Sequence, residues 1–126
     1  MKYGLEIKQI TEEGESIVAV DAEGLVDGDA ATLNYNFDDA DYKLEIGGGC
    51  MSQKRTGDVN LFMQFAEGRS TLCRIEDGAN TGAFAVFTKR LKINLTNSGF
   101  DAECVYSDGE GGADTRLLIK AYLLEQ

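Results

Sequence analysis

Seven cations, Lys54, Arg55, Arg69, Arg74, Lys89, Arg90 and Lys92, fall between positions 46 and 100, a stretch with only 4 acids. That stretch is net +3 inside a chain of net −10. Residues 1–45 hold 12 acids and 3 bases, and residues 101–126 hold 6 acids and 2 bases. An arginine fork binds carboxylates and phosphates through two parallel hydrogen bonds, so the chemistry suggested is anion recognition. Arg55 and Arg74 lie on short segments whose facing is ambiguous, and either can point inward. With Lys89, and with Tyr35 and Tyr106 from the apolar phase of their segments, they form the candidate ligand-binding set. Arg90 belongs to the same basic sector. The plainer alternative is that these cations pair with the chain's own acids.

Other chemistries are harder to build. The chain has no histidine, which removes the side chain that titrates near neutrality, most transition-metal sites and histidine-ligated haem. Cys50, Cys73 and Cys104 are odd in number and widely spaced, which argues for free thiols rather than a disulfide framework. They have no histidine to activate them. The acids cluster in turns, as at Asp38-Asp39-Ala40-Asp41, where like charges are solvated. Glu76, at a segment end, is the least typical of them, but a carboxylate mechanism needs two acids facing one cleft. Asp108-Gly109-Glu110-Gly111-Gly112-Ala113-Asp114 has oxygen ligands suited to calcium, but its spacing matches no calcium-loop pattern and reads as a hairpin loop. Gly47-Gly48-Gly49 is not followed by a helix start, so it lacks the dipole of a phosphate loop. No cofactor, metal or catalytic residue is expected.

Hairpin signals divide the chain. Glu13-Gly14, Asp27-Gly28, Glu67-Gly68, Asp77-Gly78 and Asp108-Gly109 suit tight turns, because such residues tolerate positive φ. Between them runs period-two alternation. Tyr3, Leu5 and Ile7 share a face, as do Val18, Val20, Ala22 and Gly24. Leu33, Tyr35 and Phe37 follow, then Tyr42, Leu44 and Ile46. Residues 50–55 read as a short polar strand. Val59, Leu61, Met63 and Phe65 form the next apolar face, and Thr71, Cys73 and Ile75 the one after. Residues 82–96 read as one long, bent strand with Ala83, Ala85, Phe87, Leu91, Ile93 and Leu95 in phase, broken only by Lys89. Phe100, Ala102, Cys104 and Tyr106 alternate cleanly, and a last strand spans about 114–124. A helical turn is allowed near 38–41 or after 76. One domain of 126 residues built from consecutive hairpins predicts an all-β, closed antiparallel up-and-down barrel of about eight to ten strands. The absence of proline, a residue that guards open sheet edges, fits closure.

The chain also resembles the YwiB-like family of small uncharacterised bacterial domains. The resemblance runs through most of the chain and is best from about 24 to 106. Gly24-Leu25 leads to Leu33-Asn34-Tyr35, and Lys54-Arg55-Thr56-Gly57 to Phe62-Met63-Gln64-Phe65. Gly82, Thr88-Lys89 and Leu91 follow, then Val105-Tyr106. The resemblance implies a calycin-type barrel similar in shape to lipocalins, and it carries no activity or catalytic residues.

Two functions fit such a barrel. One is a non-enzymatic interaction or regulatory module that works through its surface, on a protein partner or as a homodimer. The other binds a small apolar or amphipathic anion inside, with Ala22, Gly24, Ala83, Ala85 and Ala102 leaving interior room. The net charge disfavours nucleic acid and anionic membranes. No segment is long and apolar enough to span a bilayer as a helix, and the start lacks the apolar run of a signal peptide, so the expected location is the cytoplasm. Phe65, Phe87, Phe100 and Tyr106 are the expected aromatic core.

Overall fold

A computed structural model describes residues 1–109 and 111–124. The alternation becomes ten strands: β1 (Lys2–Thr11), β2 (Gly14–Val26), β3 (Ala30–Phe37), β4 (Ala40–Gly47), β5 (Cys50–Thr56), β6 (Val59–Ala66), β7 (Ser70–Asp77), β8 (Asn80–Thr96), β9 (Gly99–Asp108) and β10 (Thr115–Leu123). Each pairs antiparallel with its neighbours in sequence, and β1 closes the barrel on β10 from Tyr3–Leu123 to Ile10–Arg116. No helix forms at 38–41. Asp38 and Asp39 instead take left-handed φ of 52° and 61°. Two such residues in succession are what a two-residue hairpin turn needs to match the strand twist.

Inward side chains fill the end of the barrel that holds Lys2 and Leu123. Tyr3, Leu5, Leu33, Leu44, Ile46, Met51, Phe65, Phe100 and Ile119 are all buried there. Tyr3 brings a hydroxyl into this core, and it accepts a hydrogen bond from the Val26 amide at 3.0 Å. Each fully buried large side chain contributes roughly 1.5–3 kcal/mol of transfer free energy, and a depression of about 490 Å³ bordered by Ala31, Ile46, Met51 and Phe65 opens at this end. The opposite end, rimmed by the β1–β2, β3–β4, β5–β6 and β7–β8 turns, is less completely filled.

The long strand β8 departs from the simple alternation. A bulge shifts its register with β9 between Thr88 and Arg90, and the facing reverses there. Before the bulge Val86 and Thr88 are buried and oppose residues of the inward phase. After it Leu91, Ile93 and Leu95 are the inward set. Ala83, Ala85 and Phe87 consequently face outward, against the expectation from their shared phase with Leu91. An extra residue in one strand flips every side chain beyond it, so phase cannot be carried across a bulge. Phe87 is half-buried on the outward face, opposite the exposed Ser70 and the buried Ser107. Phe65 and Phe100 are buried as expected, 1% and 3% exposed.

Two seams are short. β6 pairs with β7 only from Val59–Asp77 to Phe62–Arg74. β2 pairs with β3 only from Glu23–Asn34 to Val26–Ala31. At the second seam a Cβ on Gly24 would lie 1.9 Å from the Thr32 carbonyl oxygen, so only glycine permits the approach.

Candidate functional site

The underfilled end of the barrel forms a cup of about 230 Å³. Strand register places its polar groups in adjacent rows. Tyr35 opposes Tyr42, Tyr42 opposes Arg55, and Arg55 opposes Leu61. One row deeper, Leu44 opposes Gln53 and Gln53 opposes Met63. Residues two apart on a strand share a face, so both rows point into the cup. Ile7, Val18, Phe37, Met63, Phe65 and Leu117 supply apolar wall.

The polar groups are held by one another. The Tyr35 and Tyr42 rings stack with centroids 4.9 Å apart and planes 2° from parallel. Gln53 Nε2 donates to Tyr35 Oη at 2.6 Å. Arg55 Nε donates to Tyr42 Oη at 3.2 Å, its Nη1 donates to the Val59 carbonyl, and its Nη2 meets Asp58 Oδ1 at 3.3 Å. The Arg55 side chain is 22% exposed whereas Asp58 is 89% exposed. Arg55 therefore sits in the mouth, and the acid lies outside it. The Tyr42 hydroxyl raises the Arg55 pKa further, and the Val59 amide, followed by Arg55, holds the Asp58 carboxyl below its ordinary range. Burial pushes the Tyr35 and Tyr106 hydroxyls upward. Tyr106 packs on Phe65 at 5.0 Å and 48°.

These contacts leave donors facing the cup. Tyr35 and Tyr42 each accept a bond and keep their own proton, and a guanidinium has five N–H donors. Among the described residues no carboxylate lines the cup. The interior thus carries a cation and no described carboxylate, its acceptors being the amide oxygens of Gln9 and Gln53 and the tyrosine hydroxyls, although the chain as a whole is strongly acidic.

The structure brings Tyr35, Arg55 and Tyr106 together and excludes the other two expected members. Arg74 opposes Phe62 and Ala83 on the outer face and is exposed. Its neighbours Cys73 and Ile75 are in the inward phase, which forces it out. Lys89 occupies the β8 bulge and pairs with Asp114 at 2.7 Å. Arg90 likewise pairs with Glu103 at 3.1 Å. For these two the plainer reading, pairing with the chain's own acids, describes what is seen. Glu76 is exposed and opposes Asn60 and Thr81; with Arg55 and Arg74 it borders a separate surface depression of about 300 Å³ outside the cup. Sequence reasoning missed Tyr42, Gln53 and Phe37 as cup residues. Tyr42 and Phe37 were legible as inward, but only the register across β3, β4 and β5 shows that they meet Arg55.

Among the described residues no group of three or more Cys, Asp or Glu side chains is placed to hold a metal ion. The acidic loop considered for calcium includes Glu110, which lies outside the described residues. Asp108 Oδ1 accepts from the Gly112 amide at 2.9 Å. The three cysteines are free thiols. A larger depression of about 590 Å³ crosses the outer face of β1, β10 and β9. It is shallower than the cup, and its walls mix Glu6, Glu103 and Asp101 with Lys8, Lys92 and Lys120.

No family model matches the chain, and no curated protein matches it. Among solved structures it is similar to the ywiB protein from Bacillus subtilis, with a TM-score of 0.79 and 17% identity over 98% of this chain and 92% of that one. At that identity the likeness shows a shared closed-barrel fold.

Proposed function

We propose that this barrel is a non-enzymatic binder of a small ligand that has an apolar body and an anionic or acceptor-bearing head. The observation that carries this reading is the donor-rich, carboxylate-free cup built around Arg55. Binding sites are largely apolar with a few placed polar groups, and the cup has that make-up. Its volume is below the roughly 300–1,000 Å³ of pockets for drug-sized ligands, so the occupant is a short chain or a single ring. The calycin-like reading of the fold agrees with a ligand held at a barrel mouth. Binding is favoured over catalysis because Tyr35, Tyr106 and Arg55 are all pushed further from neutrality, where a proton-transfer group works best. Charged residues such as Glu6, Lys8, Lys43 and Lys120 occupy outward positions, where a membrane-spanning barrel carries an apolar band.

Melting temperatures test it. Hexanoate, benzoate and phenyl phosphate are added to wild type, Arg55→Met and Arg74→Met. A ligand at ten times its Kd stabilises by about 1.4 kcal/mol, which raises the melting temperature by several degrees. At least one anion is expected to do so in wild type and in Arg74→Met, but not in Arg55→Met. No shift with any anion, or an equal shift in all three proteins, would overturn the reading.

The surface-module reading retains one specific observation in its favour, the unpaired edge of β2.

A further inference from the structure

β2 is paired on both sides only at its lower end. Against β1 it runs in register from Gly14–Thr11 to Glu23–Lys2, but β3 joins it only from Glu23 onward. Residues 15–22 are therefore strand-paired on one side only among the described residues, and β3 splays away from them at Tyr35 and Asn36, leaving that edge open. Burial records the same break. Val18 and Val20 point inward yet are only half-buried, whereas Ala22, beside the start of β3 pairing, is 1% exposed. Leu5, which opposes Val20 across β1, is also 1% exposed. At Val20 the exposure therefore follows the missing neighbour, while Val18, opposite the half-buried Ile7, also faces the open cup. Beside the edge lies a wedge of about 530 Å³ whose walls include Lys2, Asp21, Glu23, Tyr35, Asn36 and Asp41.

A bare edge offers a row of backbone donors and acceptors to any extended chain. Eight residues give it a length of about 26 Å. Three features select the occupant. The outward positions are Glu15, Ile17, Ala19, Asp21 and Glu23, which carry acids at both ends of the exposed run. The inward positions Val18 and Val20 want apolar cover. A second copy of the same edge is a poor match, because two-fold antiparallel pairing centred on Ile17, Val18 or Ala19 sets acid against acid. The opposed pairs are Glu13 with Asp21, Glu15 with Asp21, and Glu15 with Glu23, and like charges directly opposite destabilise a sheet. Glu15 already pairs with Lys8 at 3.4 Å, while Asp21 and Glu23 have no ion-pair partner among the described residues.

We propose that the free edge of β2 captures an extended segment of another protein as an added antiparallel strand. Basic residues of that segment alternate on the outer face and apolar residues alternate on the inner face. The edge shares Val18 with the cup wall but does not include Arg55, and its readout is amide exchange rather than a ligand-induced melting shift. The probe is a capped heptapeptide of sequence Lys-Val-Thr-Val-Thr-Val-Lys. It places lysines opposite Glu15 and Asp21 and valines against Ser16, Val18 and Val20. Amide hydrogen exchange of the full chain is followed with peptide up to about 1 mM. Exchange within residues 15–22 is expected to slow by about tenfold or more when the peptide binds, because edge amides become hydrogen-bonded. The double variant Glu15→Lys with Asp21→Lys, both at exposed positions, is expected to lose this protection. It should regain it with the peptide Glu-Val-Thr-Val-Thr-Val-Glu. Three results would overturn the proposal: no protection by the basic peptide, equal protection of wild type by both peptides, or protection without peptide that grows with protein concentration alongside a sedimenting dimer.

Discussion

A single hydroxyl shows how residue placement sets energy in this barrel. Thr88 is fully buried at the β8 bulge, and its Oγ1 has no hydrogen-bond partner among the described residues. Its backbone is satisfied, since the amide donates to Arg69 and the carbonyl accepts from Gly68. A buried polar group without a partner costs about 1–3 kcal/mol, and replacing it by an apolar group of the same shape removes that cost. Thr88→Val is therefore expected to stabilise the protein by about 1 kcal/mol. Urea unfolding at constant slope would show it as a raised midpoint, and a lowered midpoint would mean that the hydroxyl has a partner. The same scale decides the candidate site. Arg55 and Arg74 looked alike in sequence because both lie on short segments of mixed polarity. Arg74 could have been placed outward by trusting the Thr71, Cys73 and Ile75 phase. The position of Arg55 in the mouth follows from its register with Tyr42 and Leu61, which no local pattern contains.

At the scale of elements, all ten strands were legible because turn residues and alternation agree, and the boundaries fall close to those expected. What alternation could not supply was the β8 bulge. Its one trace was the charge of Lys89 in an otherwise apolar phase. The glutamate of the neighbouring hairpin helps hold the distortion: Glu67 Oε1 accepts from the Leu91 amide at 2.9 Å and pairs with Lys92 at 3.3 Å. Two expectations follow. Phe100→Ala should cost roughly 3–5 kcal/mol as a core truncation. Phe87→Ala, on the outer face, should cost about 1 kcal/mol or less. Equal losses in chemical denaturation would contradict the switch of facing. The second concerns acid. The Leu91 amide, then Lys92, holds the Glu67 pKa below its ordinary 4.5. A carboxyl depressed in the folded state contributes stability above its unfolded pKa and loses it as pH falls through the folded one. Wild type should thus lose more stability between about pH 5 and pH 3 than Glu67→Gln. Identical acid profiles would show that Glu67 does not support the bulge.

Across the whole molecule, closure is non-local although the hairpins are local. Residues 3–10 must find residues 116–123 before the barrel exists, and pairing over that separation makes folding slow. The closed barrel is not uniformly strong, because the β6–β7 and β2–β3 seams hold only four register pairs each. The cysteines are placed to report this. Cys50 is exposed at the β4–β5 turn, while Cys73 and Cys104 are fully buried. Burial raises the Cys73 pKa and pushes that of Cys104 up to about 12. Thiolate is the reactive form, so neither inner thiol reacts until its surroundings open. Cys104 lies in β9 between eight register pairs with β10 and ten with β8, whereas Cys73 lies in β7 just beyond the last β6 pair. With a thiol reagent at neutral pH, Cys50 should react at once. Cys73 should follow by local opening of its seam, and Cys104 should react only with global unfolding. Added urea should accelerate Cys104 with the slope of global unfolding, because its exposure requires the full change in surface area, and should affect Cys73 less. If the two inner thiols react at one rate with one urea dependence, the seam does not open separately and the barrel behaves as a single cooperative unit.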